Sequence, residues 1–560
     1  LFYLIKKRSV DYVSNTQNRS WPDGLDCEVF TRSALLKCYK NAKNKEDLEH
    51  VTRYFYNNKN QFKCINLPFP IGDFSNIRIT LDDYNDYKIL KKMANFLDFG
   101  PNFMDTISIF NKLTIKKANK KFRDGNIYYS ENKNFRKSNK IFKSVEAKIP
   151  LASQTFSKSY IQLPYKNAPL FITHGKGSYL WDVDGNQYID FMMGLHSVIL
   201  GYCDKDVDEG IKEQLDNGIN FSLASTLEKK LADILIEMIP SAEMVRFGKN
   251  GTDANTGAIR LVREIQRKPK IITCGYHGWN DWYISSTSFD NGIPKDLKKY
   301  ILPVEYNNID QLNEVIKKNK EDLAAIIMEP MNAVYPKNDY LKKVRELSIK
   351  NNVLLIFDEI ITGFRFGLGG AQEYFGVTPD ITTIGKGMGN GMPISAIVGK
   401  KKFMHKMDKI FFSSTFGGES LSLRGSIATI EKIKKKNVPK KLFELGTYLD
   451  VGLKKIIKKH NFQKVISFEG HPCWKIMKVN DSQGVKGNLI KTLLIKGLIN
   501  NGILINASHN ISFSHKKKDL DYVIKVYDKV IKNLKEILGS RFEELKFPPI
   551  KPIFMPRKIL

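Results

Sequence analysis

The chain has 560 residues, of which 42% are hydrophobic and 26% charged, too long for one ordinary core and too apolar for a disordered polymer. Its 89 Lys+Arg against 59 Asp+Glu give a net charge of +30, yet no C₂H₂ spacing or RNA-recognition signature accompanies the excess, so lysine-rich solvated faces are expected rather than a nucleic-acid surface. No apolar run reaches the roughly 18 residues of a membrane span, and the opening LFYLI is too short for a signal-peptide core; a cytoplasmic protein without a membrane partner is expected, and the initial Leu suggests further sequence upstream.

In chain order, residues 1–100 mix a helical pattern, ALLKCYKNA, with the alternating NIRIT ahead of the turn cluster LDDYND. Residues 101–150 carry 12 Lys+Arg against 4 Asp+Glu and few large apolar residues, which predicts a basic linker. From 151 the texture changes. GSYLWDVDGNQYIDF (177–191) reads as a hairpin turning at Asp184-Gly185. The apolar runs KIITC (270–274), LAAIIM (323–328), VLLIFD (353–358) and DITTIG (380–385) alternate with helices such as IDQLNEVIKKN and LKKVRELSIKNN. Such runs predict a parallel sheet buried on both faces, with ligands gathered at the carboxyl ends of its strands. Residues 431–540 read as a smaller α+β region, and 541–560 as an extended, proline-rich tail. Cys27, Cys38, Cys64, Cys203, Cys274 and Cys473 form no C-x-x-C pair, and the nine histidines show no zinc spacing. Free thiols are expected.

Four strand ends supply four chemical parts. LLIFDE ends in Asp358 and Glu359. ITCGYHGWNDW brings the aromatic residues Tyr276, His277, Trp279 and Trp282. RFGKNGTDANTG is a glycine turn opening a helix, where Gly251 and Thr252 offer amides, a hydroxyl and the positive end of a dipole to a phosphate monoester; Asn250 or Thr252 as a plain N-cap is the alternative. ITTIGKGMGNGMP sets Lys386 on a glycine-rich turn read as mobile. A phosphate cradle, an aromatic plate, a buried carboxylate and a lysine whose amine loses charge easily together describe a holder for pyridoxal phosphate.

The motifs NGTDA (250–254), GYHGWND (275–281), LIFDEIITGFR (355–365), PDITTIGKGMGNGMP (379–393) and TFGGESLS (415–422) run in the order of the class III, fold-type I pyridoxal-phosphate aminotransferases, and residues 151–540 resemble that family, glutamate-1-semialdehyde aminomutase above all. The resemblance implies an α/β fold, a mostly parallel seven-stranded sheet with helices on both faces in 151–430 and a small C-terminal α+β domain in 431–540. It implies that Lys386 carries the cofactor covalently, that Asp358 faces the pyridine nitrogen, that Tyr276 stacks on the ring with His277 near it, and that Asn250, Gly251 and Thr252 cradle the phosphate. Thr415 would reach the phosphate of a neighbouring subunit, implying a homodimer. Arg365 has two open roles, a substrate carboxylate or Glu359 as its partner. His196 and Glu329 are pocket or structural residues.

The segments YVSN, WPDGLDCEVFTRSALL, EHVTRYFY and RITLDDYNDY resemble the second half of spore-coat-polysaccharide-type cytidylyltransferases. This implies a partial nucleotide-diphospho-sugar transferase fold in 1–100, with Pro22, Asp26 and Glu28 near a sugar and Asp82 as a magnesium ligand if the domain is complete. The expected function is transfer of an amino group between small-molecule donor and carbonyl acceptor in surface-sugar or acidic-sugar biosynthesis. The alternatives are an intramolecular aminomutase and a basic binding protein with an inactive enzyme fold.

Overall fold

The structure, a computed structural model, describes residues 10–17, 20–42, 52–68, 133–539 and 548–550, with scattered positions from 47 to 91. The chain divides into two compact units, Leu1–Tyr128 and Tyr129–Leu560.

In the first unit, β1 (Tyr12–Ser14) lies between β2 (Glu28–Phe30), antiparallel, and β3 (Cys64–Asn66), parallel. The Thr31 hydroxyl accepts the Ala34 amide at 3.2 Å and starts the predicted helix, Arg32–Asn41. That helix buries Ala34 and Cys38 against Tyr12, Phe55 and Phe62. The Glu28 carboxylate accepts the hydroxyls of Tyr12 and, at 2.7 Å, Thr52, so it ties the small sheet together. Pro22 is buried and Asp26 exposed in the segment joining β1 to β2. Asp82 and most of NIRIT lie outside the described residues.

The second unit takes in part of the predicted linker. Residues 133–150 are not a free arm, because Phe135 is buried in the main core and the helix Arg136–Glu146 buries Ser138. Its first amides, Lys137 and Ser138, donate to the two oxygens of Asp184 at 2.8 and 2.9 Å. A carboxylate from the hairpin turn thus sits at the positive end of that helix. The hairpin itself is as predicted: β5 (Tyr179–Asp182) pairs antiparallel with β6 (Gln187–Asp190), and β4 (Ile172–Lys176) pairs with β5.

The central sheet comprises β7 (Met244–Gly248), β8 (Lys270–Cys274), β9 (Ile301–Pro303), β10 (Leu323–Met328), β11 (Leu354–Glu359), β12 (Ile381–Ile384) and β13 (Ser395–Gly399), in the order β7-β13-β12-β11-β10-β8-β9. All neighbours are parallel except β13, which is antiparallel to both β12 and β7. Every residue of β10 and β11 is buried because both faces are covered. Ala325 and Ile327 meet Ala254, Ala258 and Val262 of the Gly251–Gln266 helix, while Ile326 and Met328 meet Leu312, Ile316 and Val344 of the Ile309–Lys318 and Tyr340–Lys350 helices. Alternate side chains of one strand therefore feed two cores, each large apolar side chain contributing about 1.5–3 kcal/mol. Arg345 clamps Asp380 with two bonds of 2.7 and 3.0 Å, and Asp380 accepts the Leu355 amide, which fixes where β12 begins beside β11.

After the sheet come the helices Ser420–Lys436 and Val438–Lys459. An antiparallel sheet follows, built from β14 (Ile466–Glu469), β15 (Trp474–Val479) and β17 (Ser508–Asn510), and the helices Gly487–Asn500 and Lys517–Gly539 complete the α+β region. It is laced to the rest of the unit by β16 (Ile503–Leu504), which pairs parallel with β6. Among the described residues no helix is long and apolar enough to cross a membrane, and no cluster of metal-ligating side chains occurs.

Candidate active site

His277, Glu329, Asp358 and Lys386 follow or end β8, β10, β11 and β12 on the sheet's carboxyl side, with Thr252 beyond β7. Past β12, Lys386 has φ 42°, a left-handed conformation costly for a residue with a side chain. The turn that carries it is pinned, not mobile as its glycines suggested. Gly387, Met388 and Gly389 are buried, and the Asn390 side chain accepts the Leu200 amide at 2.8 Å and donates to the Gly201 carbonyl at 3.1 Å. Burial lowers the Lys386 amine to about 8, against the pull of Glu329 and Asp358 and with the help of Arg365.

Asp358, at the end of β11, is 4% exposed. Its Oδ2 accepts from Asn255 Nδ2 and His277 Nδ1, both at 2.8 Å, and its Oδ1 accepts the Ile360 amide at 3.1 Å. Asn255 in turn accepts the Thr383 hydroxyl at 2.6 Å and donates to the His277 carbonyl at 3.2 Å. The carboxylate is thereby held in one orientation in a dry site. Asn255 and Thr383 are absent from the sequence-based selection. The signal for Asn255 was a lone amide on the apolar face set by Ala254, Ala258 and Ile259.

Glu329, one residue past β10, is buried. Its Oε2 accepts the Tyr276 amide at 3.0 Å and Asn332 Nδ2 at 3.4 Å. Burial and the nearby Asp358 raise its pKa. Gly275, at φ 115°, makes this approach feasible, since a Cβ there would lie 2.5 Å from Glu329 Oε2. Tyr276 is half exposed, with its ring edge-on to Tyr283.

At the start of the Gly251–Gln266 helix, Asp253 accepts the Asn250 amide at 2.7 Å. The next two amides, on Gly251 and Thr252, have no intrahelical acceptor by the geometry of a helix start. Thr252 Oγ1 is buried and lacks a partner among the described residues, and His277 Nε2 shares that state. A Cβ on Gly278 would lie 2.4 Å from Thr252 Oγ1, so the two loops meet only because residue 278 is glycine. Free amides, an unpaired hydroxyl and a helix dipole suit a phosphate group, while the fixed Asp358 and the easily deprotonated Lys386 suit a pyridinium aldehyde. The residues present fit pyridoxal phosphate.

Arg365 does not pair with Glu359. That carboxylate is taken by the Thr362 hydroxyl at 2.9 Å, by the amides of Ala371 and Gln372, and by Gln372 Nε2 at 3.0 Å. Arg365 is 1% exposed and donates to the carbonyls of Ile511 at 3.1 Å and His196 at 3.0 Å. His196 lies within reach of the charges of Lys386 and Arg365, and burial together with these cations holds its pKa far below the usual histidine range. Thr415 is exposed on this chain and meets none of these groups.

These features define a pyridoxal-phosphate enzyme of the transaminase or aminomutase type. Residues 160–516 match the model of the class-III aminotransferases, and the chain belongs to that family. It is 34% identical to 3-aminobutyryl-CoA aminotransferase of Cloacimonas acidaminovorans, over 72% of this chain and 98% of that protein. It is 37% identical to glutamate-1-semialdehyde 2,1-aminomutase of Methanosphaera stadtmanae, over 64% and 90%. Among solved structures it resembles an omega-transaminase from Sphaerobacter thermophilus with a TM-score of 0.66 and 23% identity, over 72% and 99%; that likeness concerns the fold.

Proposed function

We propose that this chain moves an amino group from a small-molecule donor to a carbonyl acceptor through pyridoxal phosphate held on Lys386. Pyridoxal phosphate, when bound, supplies an aldehyde that exchanges nitrogen with amines and a ring that withdraws electrons from the substrate carbon. Asp358, oriented by Asn255 and His277, would pair with the ring nitrogen and favour its protonated form. Gly251 and Thr252 would hold the phosphate, the donors of Asn250 being turned onto Asp253, and Tyr276 would cover the ring. Lys386, with its amine lowered to about 8, takes and returns the proton at the reacting carbon. The observation that carries the reading is the enclosure of this amine with Asp358 and Glu329, three groups whose charges act on one another.

A homodimer belongs to the same proposal. Ile219, Phe221 and Leu223 are exposed beside the start of the Ser420–Lys436 helix, whose Ser420 amide donates to the Ile219 carbonyl at 2.8 Å, and Phe411 and Phe416 are exposed just before that helix. A second copy would cover this apolar surface, and Thr415 would then face the partner's phosphate cradle. The aminomutase reading stays in view because of the similarity to the Methanosphaera enzyme. A sugar-like acceptor, and a partial cytidylyltransferase-like role for residues 1–100, rest on the sequence resemblance.

Mixing the purified chain with pyridoxal phosphate should produce a visible absorbance band that Lys386→Ala lacks. An amino donor should bleach it, and a separate carbonyl acceptor should restore it. Restoration without any added acceptor would favour the intramolecular reaction.

A further inference from the structure

The exposed loop that carries Thr415 is held at both ends by the same strand, turn and helix that build the phosphate cradle. At its start, Arg246 of β7 donates to the Phe412 carbonyl at 2.9 Å, and Arg260 of the Gly251–Gln266 helix donates to the Phe411 carbonyl at 2.8 Å. Phe412 packs on the core that Ala254 and Ala258 of that helix line. At its end, Lys249 Nζ lies 2.8 Å from Glu419 Oε2, and both side chains are only 12% exposed. Glu419 in turn starts the Ser420–Lys436 helix, accepting the amides of Leu421 at 2.7 Å and Ser422 at 3.2 Å. Against burial, the bonds from Lys249 and Ser422 hold its carboxyl below the ordinary glutamate range, so the two side chains form a charge-assisted ion pair.

Between these ties Ser413, Ser414, Thr415 and Phe416 are exposed. Loops facing water are ordinarily the more mobile parts of a fold. Fixing one at both ends serves a contact made outside the chain, because a loop ordered beforehand loses little entropy on binding.

The cradle, for its part, is short of donors. A phosphate monoester presents three strongly accepting oxygens. Against them this chain sets the Gly251 and Thr252 amides and the Thr252 hydroxyl, since the Asn250 donors turn onto Asp253 and the adjacent cation, Lys249, is spent on Glu419. A hydroxyl from a second copy would add to this set, and Thr415 is exposed between the exposed rings of Phe411 and Phe416. We infer that the Lys249–Glu419 pair, with Arg246 and Arg260, is a clamp that positions Thr415 for the other copy's phosphate, so that each subunit's clamp governs cofactor retention in its neighbour. Lys249 and Glu419 act through Thr415 and are positioning residues. The inference rests on the homodimer and the Thr415 contact proposed above.

Hybrid dimers test it. One chain carries Lys386→Ala, the other keeps Lys386, and two different affinity tags isolate the mixed pair. Borohydride-fixed pyridoxyl on the Lys386-bearing chain, titrated against pyridoxal phosphate, reports the dissociation constant of that chain's cradle alone. Glu419→Gln keeps an oxygen for the Leu421 and Ser422 amides and removes the charge facing Lys249. Placed in the Lys386→Ala chain, it should raise that constant by about tenfold; placed in the Lys386-bearing chain, it should leave it within about twofold. Thr415→Val in the Lys386→Ala chain should act as Glu419→Gln does there. Circular dichroism confirms that each variant is folded. A local structural role moves only the substituted chain. An effect of Glu419→Gln confined to that chain, equal effects in both placements, or none while Thr415→Val acts across the interface would each overturn the clamp. A monomer in sedimentation velocity, or a Thr415→Val that changes nothing across the interface, would instead defeat the homodimer reading and the clamp with it.

Discussion

At Lys386 burial and a neighbouring cation oppose protonation of the amine, and Asp358 and Glu329 only partly offset them. The sign follows for stability. The amine binds a proton less tightly in the folded chain, at about 8, than at its ordinary 10.5, so below pH 8 the native state carries a charge it disfavours, and wild-type stability rises as pH goes from about 8 to 10.5. Lys386→Met should therefore stabilise the cofactor-free protein by about 1–3 kcal/mol at pH 7, with the gain vanishing above pH 10.5; melting temperatures at the two pH values measure it. Glu329→Gln removes an anion near the amine and should lower its apparent pKa further, while Arg365→Met should raise it, both read from the pH dependence of Lys386 acylation in the cofactor-free chain. Asp358, Glu359 and Lys386 were legible as chemistry because polar residues ending apolar strands must be paired or put to use. The partner of Arg365 was not legible. Glu359 found nearer donors in a loop that turns back on it, and that turn depends on Gly370, where a Cβ would lie 2.3 Å from the carboxylate.

At the scale of elements, a strand end positions a side chain only if a neighbouring loop comes close enough to use it. Gly278 at φ 107° brings the Tyr276–Gly278 loop onto Thr252. Gly278→Ala should raise the dissociation constant for pyridoxal phosphate by at least about tenfold, since backbone strain of about 1–3 kcal/mol falls directly on the phosphate cradle; a spectrophotometric titration checks it. Asn255→Leu deprives Asp358 of one donor and Thr383 of its acceptor, a loss of about 1–3 kcal/mol in folding stability measurable by urea denaturation. The four apolar runs announced their strands because burial on both faces demands continuous apolar sequence. β7 and β9 were not named in advance, since MVRFG is only partly buried and ILP is three residues long. The antiparallel course of β13 was equally silent, because direction depends on where the chain returns and not on composition. The glycine loop misled for a related reason. Glycines that permit close packing look in sequence like glycines that permit motion.

Across the whole molecule, the basic segment preceding the enzyme unit was read as linker throughout, yet its end is a helix docked by Phe135 and capped by Asp184. The exposed apolar surface of Ile219, Phe221, Leu223, Phe411 and Phe416 leads to a further expectation. Leu223→Asp combined with Phe416→Asp should convert a dimer to monomer in sedimentation velocity and weaken cofactor retention if Thr415 of the second copy completes the cradle. A monomeric wild-type protein with full cofactor affinity would contradict that assembly. The account as a whole turns on which lysine holds the cofactor. Reducing the pyridoxal-phosphate-loaded protein with borohydride and mapping the adduct by peptide mass spectrometry should place one pyridoxyl group on Lys386 and none elsewhere, and no adduct, or one carried by another lysine, would contradict it.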